Sequence, residues 1–179
     1  MVSVENVVAS GSLGVELDLE AVARELSEVV NYDPEKYPGA YFRLDDSAPL
    51  ITVYRTGKYI ITGAGSEDEA SATRSELLQL LAENCILPEA EDEWYEIQNY
   101  VCMDDIGRQL NLSALAIGLG LEFTEYEPEQ FPGLVYRPTD NDYVMLIFGP
   151  GKVIITGTTA INSAEEAVAD LIEQIDTLF

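Results

Sequence analysis

Histidine is absent from the sequence, and cysteine occurs only at Cys85 and Cys102. Without histidine the chain cannot build a Ser–His or Cys–His catalytic pair, and it lacks the commonest side-chain ligand of transition metals. Two cysteines outside any CxxC pair are too few ligands for a zinc site, and we expect no disulfide framework in a cytoplasmic protein. These absences weigh against the common enzyme and metalloprotein classes.

Long apolar runs are missing as well, so we expect no transmembrane helix and no membrane partner. The first residues lack the basic and apolar regions of a signal peptide, which favours the cytoplasm. With 179 residues and 47 % hydrophobic content, the chain can bury a core as one large domain or two small ones.

Basic residues are few. There are 9 Lys and Arg against 33 Asp and Glu, a formal net charge of −24. At molar salt, acidic surfaces stay hydrated and their repulsion is screened over about 3 Å. The composition therefore predicts a halophilic, high-salt cytoplasm, with an ordinary acidic protein as the alternative.

One stretch of sequence occurs twice. The segment from Tyr32 to Gly63 matches the segment from Tyr126 to Gly157 at a constant offset of 94, with 13 identities in 32 positions. Chance would give roughly two identities. Before this block the offset is 93. The sequence therefore predicts two repeats, 1–92 and 93–179, joined around residues 89–93.

Each repeat reads as a strand, a helix, three short strands and a second helix. Asp18 is expected to cap a first helix that runs to about Val29, and Asn111 is the matching cap in the second repeat. The Ser-x-x-Glu spacing at Ser66 predicts a capped second helix, and Ser163 is interpreted as its counterpart. The first-repeat strands are expected at 4–9, 40–44, 50–54 and 59–62. This order favours an α+β fold, an antiparallel sheet with helices on one face.

The strands carry apolar residues on both faces, because successive side chains point to opposite sides. Two long helices per repeat can cover only one face, so the other needs another partner. That second face is nearly free of acids. Its residues are Asn6, Val8, Thr52, Tyr54, Ile60 and Thr62 in the first repeat and Asn99, Val101, Leu146, Phe148, Ile154 and Thr156 in the second.

Basic residues recur beside this face. Arg43 matches Arg137 and Lys58 matches Lys152 across the repeat, and Arg55 adds a fifth cation. Asn and Thr can hydrogen-bond the minor-groove acceptors of A·T pairs, and apolar groups fit where no donors protrude. The combination predicts binding to the minor groove of DNA.

At these residues the chain resembles the archaeal TATA-box-binding proteins of halophile type. The motifs that carry the resemblance are Glu5–Ser10, Gln98–Val101, Tyr126–Arg137 and Leu146–Gly157. With both repeats they span almost the whole chain. The resemblance implies two pseudo-symmetric repeats forming a saddle, with a curved ten-stranded antiparallel sheet and helices on its convex face. It implies an initiation factor that bends TATA-element DNA, is not an enzyme and needs no cofactor.

The resemblance also implies residue roles. The aromatic wedges between base steps would be Phe131 and Phe148, with Tyr37 and Tyr54 replacing the family pattern in the first repeat. The minor-groove contacts would be Asn6, Asn99, Thr62, Thr156, Val8, Val101, Ile60, Ile154 and Leu146, with Thr52 where the family has Leu. The phosphate contacts would be Arg43, Arg137, Lys58 and Lys152, to which the charge pattern adds Arg55. Gly65 and Thr159 stand where the family often has Lys, so two basic contacts are expected to be missing.

The second turn matches the surface that docks archaeal transcription factor B, through Glu127, Glu129 and Gln130. RNA polymerase would be recruited indirectly. The resemblance further implies a monomer on double-stranded promoter DNA that can dimerise when free.

Two physical expectations follow. A phenol hydroxyl pushed into a base stack must find a partner or lose its water at about 1–3 kcal/mol. The Tyr37/Tyr54 pair should therefore wedge less deeply than the Phe131/Phe148 pair. Because the net charge of −24 repels DNA, affinity should show a flat or positive salt dependence.

Two other functions remain as alternatives. The first is a paralogue with little DNA binding that serves as a protein-binding scaffold or antagonist. The second is an acid-rich enzyme or metal binder using loop acids such as Asp45, Asp104 or Asp140. A solvated halophilic surface accounts better for those acids, since no one loop offers enough convergent oxygen ligands.

Overall fold

The computed structural model describes residues 1–88 and 91–179, so Glu89 and Ala90 of the predicted junction lie outside the described residues. Over the described chain there are ten strands and four helices. In chain order they are β1 (Ser3–Ser12), α1 (Leu19–Glu25), β2 (Val30–Asn31), β3 (Gly39–Phe42), β4 (Leu50–Tyr54), β5 (Lys58–Ala64), α2 (Glu67–Glu83), β6 (Trp94–Asp105), α3 (Leu112–Leu119), β7 (Thr124–Glu125), β8 (Leu134–Tyr136), β9 (Val144–Ile147), β10 (Lys152–Thr158) and α4 (Ile161–Leu178).

The chain forms two compact units. Asn6–Gln98 is called the first unit below, and Met1–Glu5 with Asn99–Phe179 is called the second unit. The strand order is β2-β3-β4-β5-β1 in the first unit and β6-β10-β9-β8-β7 in the second. The second order is the first one read backwards with each strand replaced by its repeat mate. The expected α+β fold with an antiparallel sheet is confirmed.

One face of the sheet is fully buried in each unit. Ile51 and Ile61 are 0 % exposed and share this layer with Leu77 and Leu81 of α2. Burying one such side chain is worth about 1.5–3 kcal/mol. The other strand residues of the layer are Val53 and Tyr59 in the first unit and Met145, Ile147, Val153 and Ile155 in the second. The helices therefore cover the face that the alternation assigned to the core.

Helix α1 is shorter than predicted. Asp18 caps it as expected, its Oδ1 accepting from the Ala21 amide at 3.1 Å, but the helix ends at Glu25 rather than near Val29. The Val29 carbonyl instead accepts from the Arg43 amide at 2.9 Å, and β2 follows at once. Two consecutive β-branched valines favour this extended conformation over another helical turn. Strands β2 and β7, with two residues each, were not predicted from the residue pattern.

The predicted caps of α2 and α4 have different outcomes. Ser66 caps α2, its hydroxyl accepting from the Glu69 amide at 3.1 Å. Helix α4 begins at Ile161 with Ala160 as N-cap, so the assignment of Ser163 was wrong. Ala160 lies 94 residues after Ser66, at the offset of the repeat. The Thr158 hydroxyl accepts from the Ala160 amide at 3.2 Å and donates to its carbonyl at 2.8 Å, which orders the turn before the helix.

An ionic cluster belongs to the first unit. Asp92, with its side chain 5 % exposed, accepts from Arg74 Nε at 2.6 Å and from the Tyr59 hydroxyl at 2.6 Å. Arg74 also lies over the Tyr95 ring, 4.7 Å from its centroid. Burial would raise the pKa of Asp92, but the hydrogen bonds from Arg74 and Tyr59 hold it below its ordinary value. In the second unit, the mate of Tyr59 is the apolar Val153.

No helix in residues 1–88 or 91–179 is long and apolar enough to cross a membrane.

Candidate nucleic-acid interface

The face opposite the buried layer stays partly open to solvent in each unit, and we call it the open face. It consists of the residues that the alternation predicted. Asn6, Val8, Tyr54, Ile60 and Thr62 are half-buried in the first unit. Asn99, Val101, Leu146, Phe148, Ile154 and Thr156 are half-buried in the second. Thr52 is the exception, at only 9 % exposed.

A backbone bulge holds the asparagine of each open face. Between the pairs Val7↔Ala64 and Ala9↔Ile61, one residue of β1 opposes two of β5. The extra residue is Gly63, with φ +86°, a left-handed conformation that favours glycine. Its amide leaves the strand ladder and donates to Asn6 Oδ1 at 2.8 Å.

The second unit repeats this device. The register shifts between Thr156 and Thr158, Gly157 has φ +91°, and its amide donates to Asn99 Oδ1 at 2.7 Å. Because a glycine amide can only donate, the atom facing it must be the asparagine oxygen. The side-chain NH2 of each asparagine is therefore left as a donor, and that of Asn99 also reaches Thr156 Oγ1 at 3.3 Å.

Two equivalent turns hold an aromatic residue. The Asp33 carbonyl accepts from the amides of Lys36 at 3.1 Å and Tyr37 at 3.0 Å. In the second unit the Glu127 carbonyl accepts from Gln130 and Phe131, both at 2.9 Å. These tight turns place Tyr37 and Phe131 at the surface, 36 % and 38 % exposed.

A glycine lies beneath each aromatic pair. A Cβ on Gly39 would come within 2.9 Å of the Tyr37 ring, and one on Gly133 within 2.8 Å of the Phe131 ring. Any side chain at these positions would force the aromatic ring to move. Gly39 and Gly133 thus allow the predicted wedge residues to lie close to the sheet.

The predicted wedge residues do come together within each unit. Phe131 and Phe148 meet edge to face, with ring centroids 5.8 Å apart. Tyr37 and Tyr54 lie 6.2 Å apart, and their hydroxyl oxygens share a hydrogen bond of 2.6 Å. This hydrogen bond raises the pKa of Tyr54 to about 12. The apolar pair and the hydrogen-bonded pair occupy equivalent positions.

Tyr41 is a residue of this surface that the sequence reasoning missed. Its ring stacks on Tyr37 at 5.3 Å with an interplanar angle of 9°, and it remains 37 % exposed. Tyr41 pairs in register with Thr52, and their mates Val135 and Leu146 pair in the same way. The first unit therefore has a large and a small residue, Tyr41 and Thr52, where the second unit has two residues of middle size. This exchange is visible in the sequence once the residues that lie opposite each other in the sheet are known.

The basic side chains predicted to contact phosphates differ in whether they already bond to another group of the protein. Lys58 and Lys152 are exposed at the first position of β5 and β10, on the side of the open face. Arg43 is exposed and donates to the Ala48 carbonyl at 3.1 Å. Arg137 forms an ion pair with Glu125 at 3.0 Å.

Arg55 is placed differently. It pairs with Glu16 at 3.2 Å in a turn just before α1, close to Asp18 and Glu20. A phosphate contact by Arg55 therefore requires release from acidic neighbours, and it stays a prediction.

The residues predicted to dock transcription factor B are all exposed. Glu127, Glu129 and Gln130 lie on the turn that carries Phe131. The turn thus presents two carboxylates beside an aromatic ring.

The acidic loops and the cysteines form no metal site within the residues that the structure describes. Within the described residues, no group of three or more His, Cys, Asp or Glu side chains could hold a metal ion. Cys85 is exposed and Cys102 is buried, and both are free thiols.

Comparison with known proteins identifies the family. A family model described as "Transcription factor TFIID (or TATA-binding protein, TBP)" matches residues 1–84 and again residues 94–178. The chain is 49 % identical over 167 residues to "TATA-box-binding protein C" of Halobacterium salinarum, covering 93 % of this chain and 92 % of that protein. It is 45 % identical over 177 residues to a TATA-box-binding protein of Haloarcula marismortui, covering 99 % and 94 %.

The fold agrees with this family. The solved structure of Methanococcus jannaschii TBP matches with a TM-score of 0.88 at 40 % identity, covering 98 % of each chain. The resemblance drawn from the sequence motifs is thereby confirmed, and the relatives include proteins of halophilic archaea, as the charge predicted. The chain belongs to the TATA-binding protein family, the TATA-box-binding general transcription factors.

Proposed function

We propose that the chain binds A/T-rich promoter DNA as a monomer, with its open faces in the minor groove, and bends the DNA by inserting aromatic side chains between base steps. Bound in this way, it recruits transcription factor B and, through it, RNA polymerase. It works in the cytoplasm of an archaeon at high salt.

The observation that carries the proposal is the orientation of Asn6 and Asn99. Each oxygen is occupied by a glycine amide, at 2.8 and 2.7 Å, so each NH2 group is left to donate. The minor groove of an A·T pair offers only acceptors, A N3 and T O2, whereas G·C adds the guanine NH2 donor. Two fixed donors on a surface that otherwise carries only apolar residues and threonines therefore favour A·T pairs.

The surroundings of the asparagines support the same conclusion. Val8, Ile60, Val101, Leu146 and Ile154 are half-buried apolar residues of the open face. Removing them from water against the groove floor yields roughly 25 cal/mol per Å² of apolar area. The absence of acids among the open-face residues, in a chain with 33 of them, avoids direct repulsion of the phosphates.

The aromatic pairs account for bending. Burying four aromatic side chains in base stacks contributes a favourable free energy of about 1.5–3 kcal/mol for each side chain, about 6–12 kcal/mol together. Bending a short site costs on the order of 1–6 kcal/mol, or about 10 for stiff sequences. TATA-binding proteins are themselves the standard example of such wedging, so the wedge is carried over from the family. The balance favours flexible TA steps at the wedge positions.

The DNA part of the proposal is tested with isosteric variants. Asn6→Asp with Asn99→Asp keeps an oxygen for each glycine amide but replaces both NH2 donors by acceptors. We expect fluorescence anisotropy in 2 M KCl to show A/T-selective binding by the wild type and a loss of about 100-fold in the variant. Gln109→Glu, an exposed site outside the open face, controls for added charge.

Two results would contradict it. If the double Asp variant bound as tightly as the wild type, the open faces would not lie in the minor groove. If the wild type bound no A/T-rich duplex at any KCl concentration, the scaffold alternative would be favoured.

Recruitment of transcription factor B is tested on the second turn. Glu127→Lys with Glu129→Lys should leave DNA binding intact and abolish the slower-migrating complex formed with transcription factor B. The matched control is the equivalent turn of the first unit, Asp33→Lys with Glu35→Lys. Equal loss from both turns would contradict docking at the second turn.

A further inference from the structure

We propose that Tyr41 contacts DNA in the first unit, where it takes over the base contact that the sequence assigns to Thr52, and that it holds the wedge residue Tyr37 in place. This inference rests on the proposed DNA binding.

The register of the sheet places Tyr41 at the right position. Tyr41 of β3 lies opposite Thr52 of β4, and in the second unit Val135 lies opposite Leu146. In the second unit Leu146 is half-buried and part of the open face. In the first unit Thr52 is only 9 % exposed, whereas Tyr41 is 37 % exposed. In the second unit the larger residue of the pair is on β9, whereas in the first unit it is on β3. The exposed contact surface of the first unit is therefore on β3 rather than on β4.

Stacking makes Tyr41 part of the wedge. Its ring lies parallel to Tyr37, at 9° and 5.3 Å, and the hydroxyl of Tyr37 shares a 2.6 Å hydrogen bond with that of Tyr54. The stack and the hydrogen bond thus hold Tyr37 before any DNA is present. Phe131, by contrast, has an edge contact with Phe148, and Val135 lacks a ring that could stack on it.

The chemistry of Tyr41 suits a nucleotide. Its exposed ring can pack on a deoxyribose or base edge. Among the described residues its hydroxyl has no hydrogen-bond partner, so it can donate to a minor-groove acceptor or a sugar oxygen. Thr52 can offer little of this, because its side chain is covered. The ligand is therefore the nucleotide next to the first-unit wedge step.

The test transplants the second-unit pair into the first. Tyr41→Val with Thr52→Leu recreates the Val135/Leu146 packing, so its Tm should stay within about 4 °C of wild type. Each single change should lower the Tm further, because one leaves a void and the other overpacks the site. We expect the double variant to bind A/T-rich DNA about tenfold more weakly in 2 M KCl, the size of a lost base–aromatic contact.

Fluorescence of 2-aminopurine localises the effect. Placed beside one wedge step at a time, it reports unstacking at that step. The signal at one end should fall in the double variant, while that at the Phe131/Phe148 end should not change. Unchanged affinity and unchanged signals would overturn the inference.

A second variant separates the ring from the hydroxyl. Tyr41→Phe keeps the stack, and about threefold weaker binding is expected if the hydroxyl donates to DNA. Wild-type affinity in Tyr41→Phe with a loss in the double variant would overturn the hydroxyl contact but retain the stacking role. If the wild type itself fails to bind, the proposed function is what fails, which distinguishes the two cases.

Discussion

The two units share one backbone design and differ in the chemistry at its outer end. The first unit has Tyr37 and Tyr54 joined by a hydrogen bond, and a third ring, Tyr41, stacked on Tyr37. The second has Phe131 and Phe148 in an edge contact. The cations differ too. Arg137 pairs with Glu125, whereas the mate of Glu125 is the neutral Asn31, and Arg43 donates to the Ala48 carbonyl.

The contrast separates what the backbone determines from what the side chains determine. Both glycine bulges and both turns are kept, so donors and rings are presented in the same way. In the first unit Arg43 is bonded to a carbonyl and the aromatic pair is joined by a hydrogen bond. In the second unit Arg137 is bonded to a carboxylate and the two rings meet only in an edge contact. We therefore expect the units to contribute unequally to binding.

The largest effect is expected in the cluster that only the first unit has. Asp92→Asn removes a carboxylate that is 5 % exposed and leaves Arg74, which is 30 % exposed, without its counter-ion. This should cost about 3 kcal/mol and lower the Tm by about 6–12 °C in calorimetry. Asp176→Asn is the matched control in the second unit. It breaks an exposed pair with Arg108 that should be worth at most about 1 kcal/mol.

The pH dependence of the same variant has a defined sign. Because the folded-state pKa of Asp92 is lowered, its stabilisation is complete above the unfolded-state pKa and is lost as pH falls through the folded-state value. The difference in stability between wild type and Asp92→Asn should be constant near neutrality and shrink below about pH 4. A difference that grew on acidification would contradict the ion pair as its source.

The asparagines should behave alike in the two units. Asn6→Asp and Asn99→Asp, made singly, should each weaken A/T-rich DNA binding by about 1.4 kcal/mol, roughly tenfold. Titrations in 2 M KCl would measure this. If only one of the two variants weakened binding, only one of the two glycine bulges would contact the groove, and the two units would not be equivalent in DNA binding.

Exchanging the tyrosine pair for phenylalanines should change DNA affinity by less than the asparagine substitutions do. Tyr37→Phe with Tyr54→Phe removes two hydroxyls that must enter a base stack, and should tighten binding by about 1 kcal/mol and increase the bend seen by energy transfer. The structure reduces the expected gain, since the hydroxyls already satisfy one another. Phe131→Tyr with Phe148→Tyr is the reverse exchange. Unchanged bend and affinity in both would remove the distinction between the pairs.

The smallest effect is expected at Arg137. Glu125→Gln releases this arginine for a phosphate, and should tighten binding two- to threefold, about 0.5 kcal/mol, at 0.2 M KCl. The gain should vanish at 2 M KCl, where charges are screened beyond about 3 Å.

Glu16→Gln, which frees Arg55 in the same way, provides the comparison. A gain there equal to that of Glu125→Gln would support Arg55 as a phosphate contact. No gain would place Arg55 outside the interface.

Sequence reasoning captured the parts of the fold that depend on short-range patterns. The alternation in β4 and β5 separated buried Ile51 and Ile61 from half-buried Ile60 and Thr62, because strand periodicity acts over neighbouring residues. The offset of 94 identified both turns and the residues on them. The end of α1 and the cap of α4 were mispredicted where local propensities compete with the sheet and the preceding turn.

The features missed from the sequence depend on contacts between distant residues. Asp92 meets Arg74 and Tyr59, 18 and 33 positions away, which no local pattern reveals. The role of Gly63 as the partner of Asn6 requires the bulge in the register. The place of Tyr41 requires knowing which residue lies opposite it across the sheet.

The glycine bulges also provide a pair of built-in spectroscopic reporters. The amides of Gly63 and Gly157 each bond to an asparagine of one open face, and glycine amides are readily distinguished by their nitrogen chemical shift. A titration followed by 15N-edited NMR would then register the engagement of each unit separately, in one sample of unmodified protein. If the two amides follow one binding curve, both units engage the DNA in a single step, whereas different curves would show that one unit binds separately from the other.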